Sequence, residues 1–423
     1  MGYSTFGNRV SRFFRKRGVR ERLAQVADPR DRRGRKWALS RVLETVLGAL
    51  LLQIRSCHQW DEQTRTGPRR QVGELRLAPI PDATLQWILP QVDPTEVRQV
   101  LVDSVRAEVR RKSVTTPAGA LRTLAIDGKC LWSGRRGGCK ACQGQGGLRG
   151  HRVVRALLTS ARPRILLDQR TLAADENEMG AFTAFWAQLC QTYGRLHLFE
   201  VVTLDAGYGS RHNASLIDGA GYGYVLALKD NQPELWREAQ RILVPRAAGQ
   251  RPEAKVLERD HGQWVRRSLW RTQACASWLD WAHLRQVWLV RTEKFTRQST
   301  PRVDSMPVAV EDHYYLTNLP WQRLDGMSIL SVVRGHWGIE NNGFRTLDME
   351  WQEERAWCTK GAATDVLGLL RLWAYNLVGL LKGRYLRARR YRAHTLAGFV
   401  AWIERVSVWE QARRRVRWVV LVP

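Results

Sequence analysis

Three carboxylates in this chain stand where a carboxylate can do more than solvate a surface. Asp127 ends the apolar run Leu124-Ala125-Ile126 and is followed by Gly128-Lys129. Asp205 ends a second run, Leu198 to Leu204, and is followed by Ala206-Gly207. Glu340 lies among Arg334, His336, Trp337 and Asn341 in the stretch RGHWGIENNGFRTLDMEWQEER. An apolar strand that ends in Asp beside a glycine puts its carboxylate at the rim of a sheet, where open α/β folds build their sites. One such Asp is usually a turn former, and a buried Glu340 paired with Arg334 would serve structure alone. Together the three can hold two hard cations through oxygen. Mg2+ prefers such ligands, and a pair of ions can stabilise both the attacking and the leaving oxygen of a phosphoryl transfer. Crowded carboxylates repel one another, so the cluster is costly without a cation. Asp175, Glu176, Glu178, Asp348, Glu350, Glu353 and Glu354 are further acids that this reading leaves outside the set.

The elements that must position these groups follow from periodicity. Val332, Val333, Trp337, Ile339, Phe344 and Leu347 form an apolar stripe at helical spacing, which predicts a helix with Trp337, Glu340 and Asn341 on one face. Gly335, Gly338 and Gly343 weaken it by roughly 1 kcal/mol each and imply close backbone packing. Upstream, strands end at Asp127 and cover 151–160 and 164–172. A helix covers 177–193, a strand 198–204, a helix 211–220, a strand 222–228 and a helix 233–243. This order predicts a mixed sheet covered by helices. Residues 245–320 alternate in short stretches and read as a β-rich insertion. The apolar segment 362–381 carries Arg371 at its centre, which marks a buried helix rather than a membrane span. Before the sheet, short helices are capped by Asp82 and Asp93, the second with Pro94 at its first position. Around their Pro-broken turn they are either a DNA-binding helix-turn-helix or a small helical domain packed on the core.

The chain has 423 residues, and 68 Lys+Arg against 40 Asp+Glu give a net charge of +28. That excess points to a polyanionic partner, nucleic acid first. No apolar run reaches the roughly 18 residues of a spanning helix with its charges excluded, so no membrane role is expected. Seven scattered cysteines suit reduced thiols and a cytoplasmic setting. Cys139-x-x-Cys142 with Cys130 and His151 has the donor types of a zinc site, but its spacing is loose, and GRRGGCKACQGQGG reads more readily as a flexible basic loop.

LAIDGK, then Asn177-Glu178-Met179, TLDAGY, YVLALKDNQPEL, HYYLTNLP and RGHWGIEN, taken in order, resemble the transposases of bacterial insertion sequences. More narrowly, they resemble the ISAs-type group with its H-repeat-associated proteins. The N-terminal DPRDRRGRKWALSRVLETVLGALLLQIRS is similar to the helical domain that precedes the catalytic domain there, so the likeness runs from about residue 27 to 380. It implies a ribonuclease-H-like α/β core, a mixed sheet flanked by helices, with a β-rich insertion at about 245–320 and a helical N-terminal domain. By position, Asp127, Asp205 and Glu340 would be the catalytic metal ligands for two Mg2+, with Mn2+ able to substitute. The run after Asp205, Gly207 to His212, departs from the family pattern, and Leu347 stands where related chains carry a Lys.

The resulting division is a basic arm at 1–36, ordered only in part or on binding, and a helical domain at 37–115 that is a candidate for DNA binding. A catalytic domain at 116–385 and a basic tail at 386–423 follow. Lys129, Tyr208, Lys229, Arg334, Trp337, Asn341 and Arg345 are the expected DNA contacts beside the triad. The expected activity is cleavage of phosphodiesters at element ends and joining of the 3′-hydroxyls to target DNA. The expected partners are double-stranded DNA, as element ends and as target, and a second copy of the chain in the DNA complex. The alternative is a catalytically inactive DNA-binding relic or repressor of the element.

Overall fold

A computed structural model describes residues 3–66, 71–135, 138–145, 147–260, 262–276, 278, 281–296, 300–301, 305–355, 357–385, 396 and 398–403. The chain opens with helices α1 (Tyr3–Arg17), α2 (Val19–Leu23), α3 (Leu39–Leu51) and α4 (Cys57–Thr66), then a two-stranded ribbon, β1 (Gln71–Val72) and β2 (Leu75–Arg76). Helices α5 (Asp82–Ile88) and α6 (Pro94–Arg110) lead to the sheet. Asp93 caps α6 by accepting the Thr95 N–H at 2.8 Å, and Pro94 fills its first turn, where no N–H is needed.

Strands β3 (Thr123–Gly134), β4 (Gln143–Gln145), β5 (Leu148–Leu158) and β6 (Ile165–Thr171) come next, then α7 (Glu178–Tyr193), β7 (Val201–Leu204), α8 (Arg211–Gly219), β8 (Gly223–Leu228) and α9 (Pro233–Gly249). Four more strands follow: β9 (Ala254–Asp260), β10 (Gln263–Thr272), β11 (Gln286–Lys294) and β12 (Ala309–Thr317). Helices α10 (Gly326–His336), α11 (Arg345–Trp351) and α12 (Ala363–Leu380) complete the described elements used below.

One mixed sheet runs β4-β5-β3-β7-β8-β12-β11-β10-β9, with β6 also on β5. β6, β5 and β3 are antiparallel neighbours, whereas β7 and β8 run parallel to β3. The parallel strands are connected through helices, as parallel neighbours require. The β-rich insertion forms no separate lobe. Its strand β12 pairs antiparallel with β8, so β9 to β12 widen the same sheet.

Segment 1–36, expected as an arm ordered only in part, forms helices over Tyr3–Arg17 and Val19–Leu23 that pack on the rest of the chain. Val10, Phe13, Phe14, Val19 and Leu23 are buried, and Arg17 pairs with Glu108 of α6 at 2.9 Å. Its charges occupy the outer face of a helix whose inner face is apolar. Of the two readings of the next helices, packing on the core is the one their contacts show. Val97, Val100, Leu101 and Val105 bury α6, and its Arg98 is engaged by Asp168 of β6 at 3.0 Å, so α6 is a core helix. The N-terminal helices and the sheet share one hydrophobic cluster, joined through α12. α12 is long and apolar enough to cross a membrane, but 89% of that window is buried inside the protein. The tail at 386–423 lies outside the described residues except for 396 and 398–403.

Candidate active site

The two aspartates are placed by strand register. β3 and β7 run parallel with Ile126 opposite Leu204, so Asp127 and Asp205 are the next residues along adjacent strands. Adjacent strands lie about 4.8 Å apart. Asp127 remains in β3, buried, and accepts the Gly128 N–H at 2.8 Å. Asp205 lies just past β7 and accepts the Tyr208 N–H at 3.2 Å, which caps the short turn Ala206–Tyr208. Asp127 lies opposite Arg155 of β5 and therefore shares its face of the sheet. α10 covers that face. His336, its last residue, is buried and bonded through Nδ1 to Thr203 Oγ1 at 2.9 Å, two residues before Asp205. Burial pushes His336 down to about 4, against a smaller upward pull from Asp205, so it is neutral there.

Glu340 is not on a regular α-helix. After α10 the segment Ile339–Phe344 is a π-helical turn, and the Arg345 N–H bonds to the Glu340 carbonyl five residues back. Such turns insert one residue into a helix and recur at functional sites. Trp337, Glu340 and Asn341 precede that slip, and the Asn341 N–H still bonds to the Trp337 carbonyl at 3.0 Å, one α turn back. Trp337 and Asn341 line a groove of about 960 Å3, whereas Glu340 does not. Glu340 is instead electrostatically coupled to Asp127. The three glycines do not mark close approach: a Cβ at Gly335, Gly338 or Gly343 would meet its nearest neighbour at 3.6, 3.7 and 3.6 Å, ordinary contact.

The electrostatics report the crowding. Asp127 is pushed up to about 8, first by burial, then by Asp205, with smaller pushes from Glu340 and Glu178 against the pull of the Gly128 N–H. Glu178 is raised as well, by burial and then by Asp205. It begins α7 on the opposite face of the sheet, with Asn177 as cap. It reaches the cluster because residue 128 has no side chain: a Cβ there would overlap the Glu178 carboxylate. Sequence reasoning set Glu178 aside as an outside acid, although Asn177-Glu178-Met179 was among the matched motifs. Among the described residues, no three carboxylate oxygens all lie within 4.8 Å of one another, so the cluster is wider than one ion's shell. Its donors are all carboxylate oxygens, a set suited to hard cations such as Mg2+.

The expected DNA contacts divide. Lys229, Asn341 and Arg345 are exposed. Arg334 is exposed and ion-paired with Glu258, and Trp337 is half-buried, edge-on to His313 at 5.8 Å. Two are corrected. Lys129 alternates onto the same face as Asp127, where its ammonium is buried against Asp348 and stands 5.5 Å from the Phe344 ring. Tyr208 is buried edge-on to Phe182 at 6.1 Å. Its hydroxyl stands near Glu178 without a hydrogen bond of good geometry. Neither side chain is presented to DNA. The groove beside α10 is lined by Arg162, Arg164, Arg334 and Arg345, none of the four acids among its walls.

Fold and site together define an α/β protein with an acidic centre at the rim of a mixed sheet. Residues 99–377 match the family described as "Transposase DDE domain", and the chain belongs to that family of insertion-sequence DDE transposases. A protein of Xanthobacter autotrophicus, described as an uncharacterized protein in the dhlA 3′ region, is 28% identical over 184 residues, 41% of this chain and 55% of its own length. The chain thus spans just over half the length of that relative.

Proposed function

We propose that this chain cuts phosphodiesters at the ends of its mobile element and joins the freed 3′-hydroxyls to target DNA, with Asp127, Asp205 and Glu340 as the catalytic carboxylates. The observation that carries the reading is the β3–β7 register, which sets the two aspartates side by side, with Asp127 electrostatically coupled to Glu340. The strand order β6-β5-β3-β7-β8, with three antiparallel strands then two parallel to the first, supports a ribonuclease-H-like core. Asp127, Asp205 and Glu340 would hold two Mg2+, or Mn2+ in their place. When bound, that pair supplies an activated water and neutralises charge on the leaving oxygen.

The chain's own residues do the rest. Asp127 gives up the proton that its neighbours otherwise force on it. His336, buried and neutral, fixes α10 over β7 and so fixes where Glu340, one turn further on, stands. Arg334 and Arg345, with Arg162 and Arg164, line a groove of about 960 Å3 that would take a phosphate backbone, and exposed Lys229 adds positive charge just after β8. Arginine forks match phosphate oxygens in this role. A second copy of the chain would hold the other element end.

The test uses the full chain with a cognate element end and Mg2+. Asp127→Asn, Asp205→Asn and Glu340→Gln are each expected to lose cleavage and strand transfer while duplex binding survives. Near-native cleavage by Glu340→Gln would overturn the site. A native chain that binds ends but cleaves nothing would support the inactive relic or repressor instead.

A further inference from the structure

Beyond the acidic centre, β3 and β5 continue past the sheet rim as a hairpin, and at its base three soft donors converge. Cys139 Sγ lies 3.6 Å from Cys142 Sγ and 3.3 Å from His151 Nδ1, and Cys142 Sγ lies 3.8 Å from the same nitrogen. All three ligand atoms fall within 4.8 Å of one another. Zinc bonds of about 2.3 Å to sulfur and 2.0–2.1 Å to nitrogen in a tetrahedron give edges of about 3.8 Å between sulfurs and about 3.5 Å between sulfur and nitrogen. The observed triangle is close to one face of that tetrahedron. We propose that Cys139, Cys142 and His151 form a zinc site, with three protein ligands and water in the fourth position.

Four features support a built site. First, the Cys-x-x-Cys segment is a closed turn. The Cys142 N–H donates to the Cys139 carbonyl at 3.2 Å, and the Cys139 N–H points at Cys142 Sγ at 3.3 Å, the arrangement that stabilises a ligating thiolate. Gly138 enters that turn at φ 111°, where a side chain is disfavoured. Second, His151 is fully buried, and its outward nitrogen is held. Nε2 is 3.0 Å from Asp365 Oδ1 in the first turn of α12, and Thr171 donates to the same carboxylate. A carboxylate on the far nitrogen fixes the tautomer and ring direction of a ligating histidine and raises its basicity. Third, Leu131, Trp132 and Val153 pack against the two cysteines as an apolar wall.

Fourth, the strand pattern selects the ligands. The β3–β5 register slips between Cys130 and Trp132, which leaves Trp132 opposite His151 and Cys130 opposite Arg152. Adjacent residues of β5 face opposite ways, so Cys130 points away from His151 and is excluded. Cys130, one of the four zinc donors that the sequence offered, is left out of the set by that slip. Binding is balanced without any redox step: the two thiols each release a proton, the neutral imidazole donates a lone pair, and two thiolates neutralise the dication. The ion would tie the turn after β3, which starts twelve residues beyond Asp127, to α12 through His151 and Asp365.

The probe is Co2+, then Zn2+, added to the full chain after treatment with a chelator and a reductant. One equivalent of Co2+ is expected to give the visible bands of a tetrahedral ion and a thiolate-to-cobalt charge-transfer band. The carboxylate cluster cannot produce the charge-transfer band, so the two sites are distinguished on the native protein. One equivalent of Zn2+ should bleach it. Cys139→Ser and Cys142→Ser should each lose the band, Cys130→Ser should keep it, and Asp365→Asn should weaken zinc affinity about 10- to 100-fold. Absence of a thiolate band with the reduced native chain, or its loss in Cys130→Ser, would overturn the proposal. So would recovery of the two cysteines as a disulfide that no reductant converts to a zinc-binding form.

Discussion

Asp127 carries the plainest consequence at the scale of single residues. Its carboxyl has an ordinary value of 3.8 and is raised to about 8 in the fold, by burial and then by Asp205. Between those values the folded chain keeps a proton that the unfolded chain has released. Stability without cations is therefore greatest below the lower value and falls as pH rises toward the upper one. In a chelator, the native chain should lose stability between pH 5 and 8, while Asp127→Asn should change little. The gap at pH 7 should be on the order of a few kcal/mol. Melting curves at both pH values check this, and parallel profiles would place the proton elsewhere. Gly128 makes a second case. Adding a methyl there displaces the Glu178 carboxylate, whose flexible side chain can swing away, so Gly128→Ala should fold normally. If Glu178 helps to set the field of the cluster, Mg2+ affinity should drop about tenfold, the lower range for groups that orient a site. Calorimetric Mg2+ titration reads this directly, and unchanged affinity would return Glu178 to the bystanders.

The elements show why some of this was legible and some was not. Strands ending at Asp127 and Asp205 were readable, because an apolar run that stops at Asp-Gly or Asp-Ala-Gly is a local signal. Helix α7, with its cap Asn177, and α6, with Asp93 and Pro94, were readable for the same reason. The π-turn at Ile339–Phe344 was not. A stripe read at 3.6 residues per turn runs almost unbroken through one extra residue, and only the hydrogen bond from Arg345 to Glu340 reveals the slip. That extra residue rotates everything after it by about 100° relative to α10. Deleting Asn342 should return the turn to α geometry and swing α11, with Asp348 and Glu353 behind it, away from Lys129 and Arg155. Helix content should remain near native by circular dichroism. The melting temperature should fall, because the buried Arg155–Glu353 pair is parted. A deletion variant that melts at the native temperature would show that the π-turn does not position α11.

At the scale of the whole molecule, net charge misleads about individual cations. The excess of +28 was legible at once and fits a polyanion partner, but which arginines face outward depends on contacts between distant segments. Phe13 and Phe14 turn the basic N-terminal stretch into a packed helix, and Asp348, far along the chain, takes Lys129 out of reach. Arg155 is the extreme case. It lies on β5 beside Asp127, is fully buried, and forms a double bond pair with Glu353 at 2.6 and 2.6 Å. It also donates to Gln169 of β6 at 3.1 and 2.8 Å. Glu353 follows α11, so this one contact ties the sheet under the aspartates to the segment that carries Glu340. Removing one partner of a buried pair strands the other charge, which costs roughly 3–5 kcal/mol, whereas replacing both with apolar groups of similar size is often neutral or stabilising. Glu353→Ala should therefore lower unfolding stability by about that amount, and Arg155→Met with Glu353→Leu should recover most of it. Urea unfolding of the two variants in a chelator checks the pair without involving cations at the acidic centre. A loss below about 1 kcal/mol for Glu353→Ala would mean that water reaches Arg155, and the sheet and the Glu340 segment would then be held together by apolar packing and by the Lys129–Asp348 and Thr203–His336 contacts.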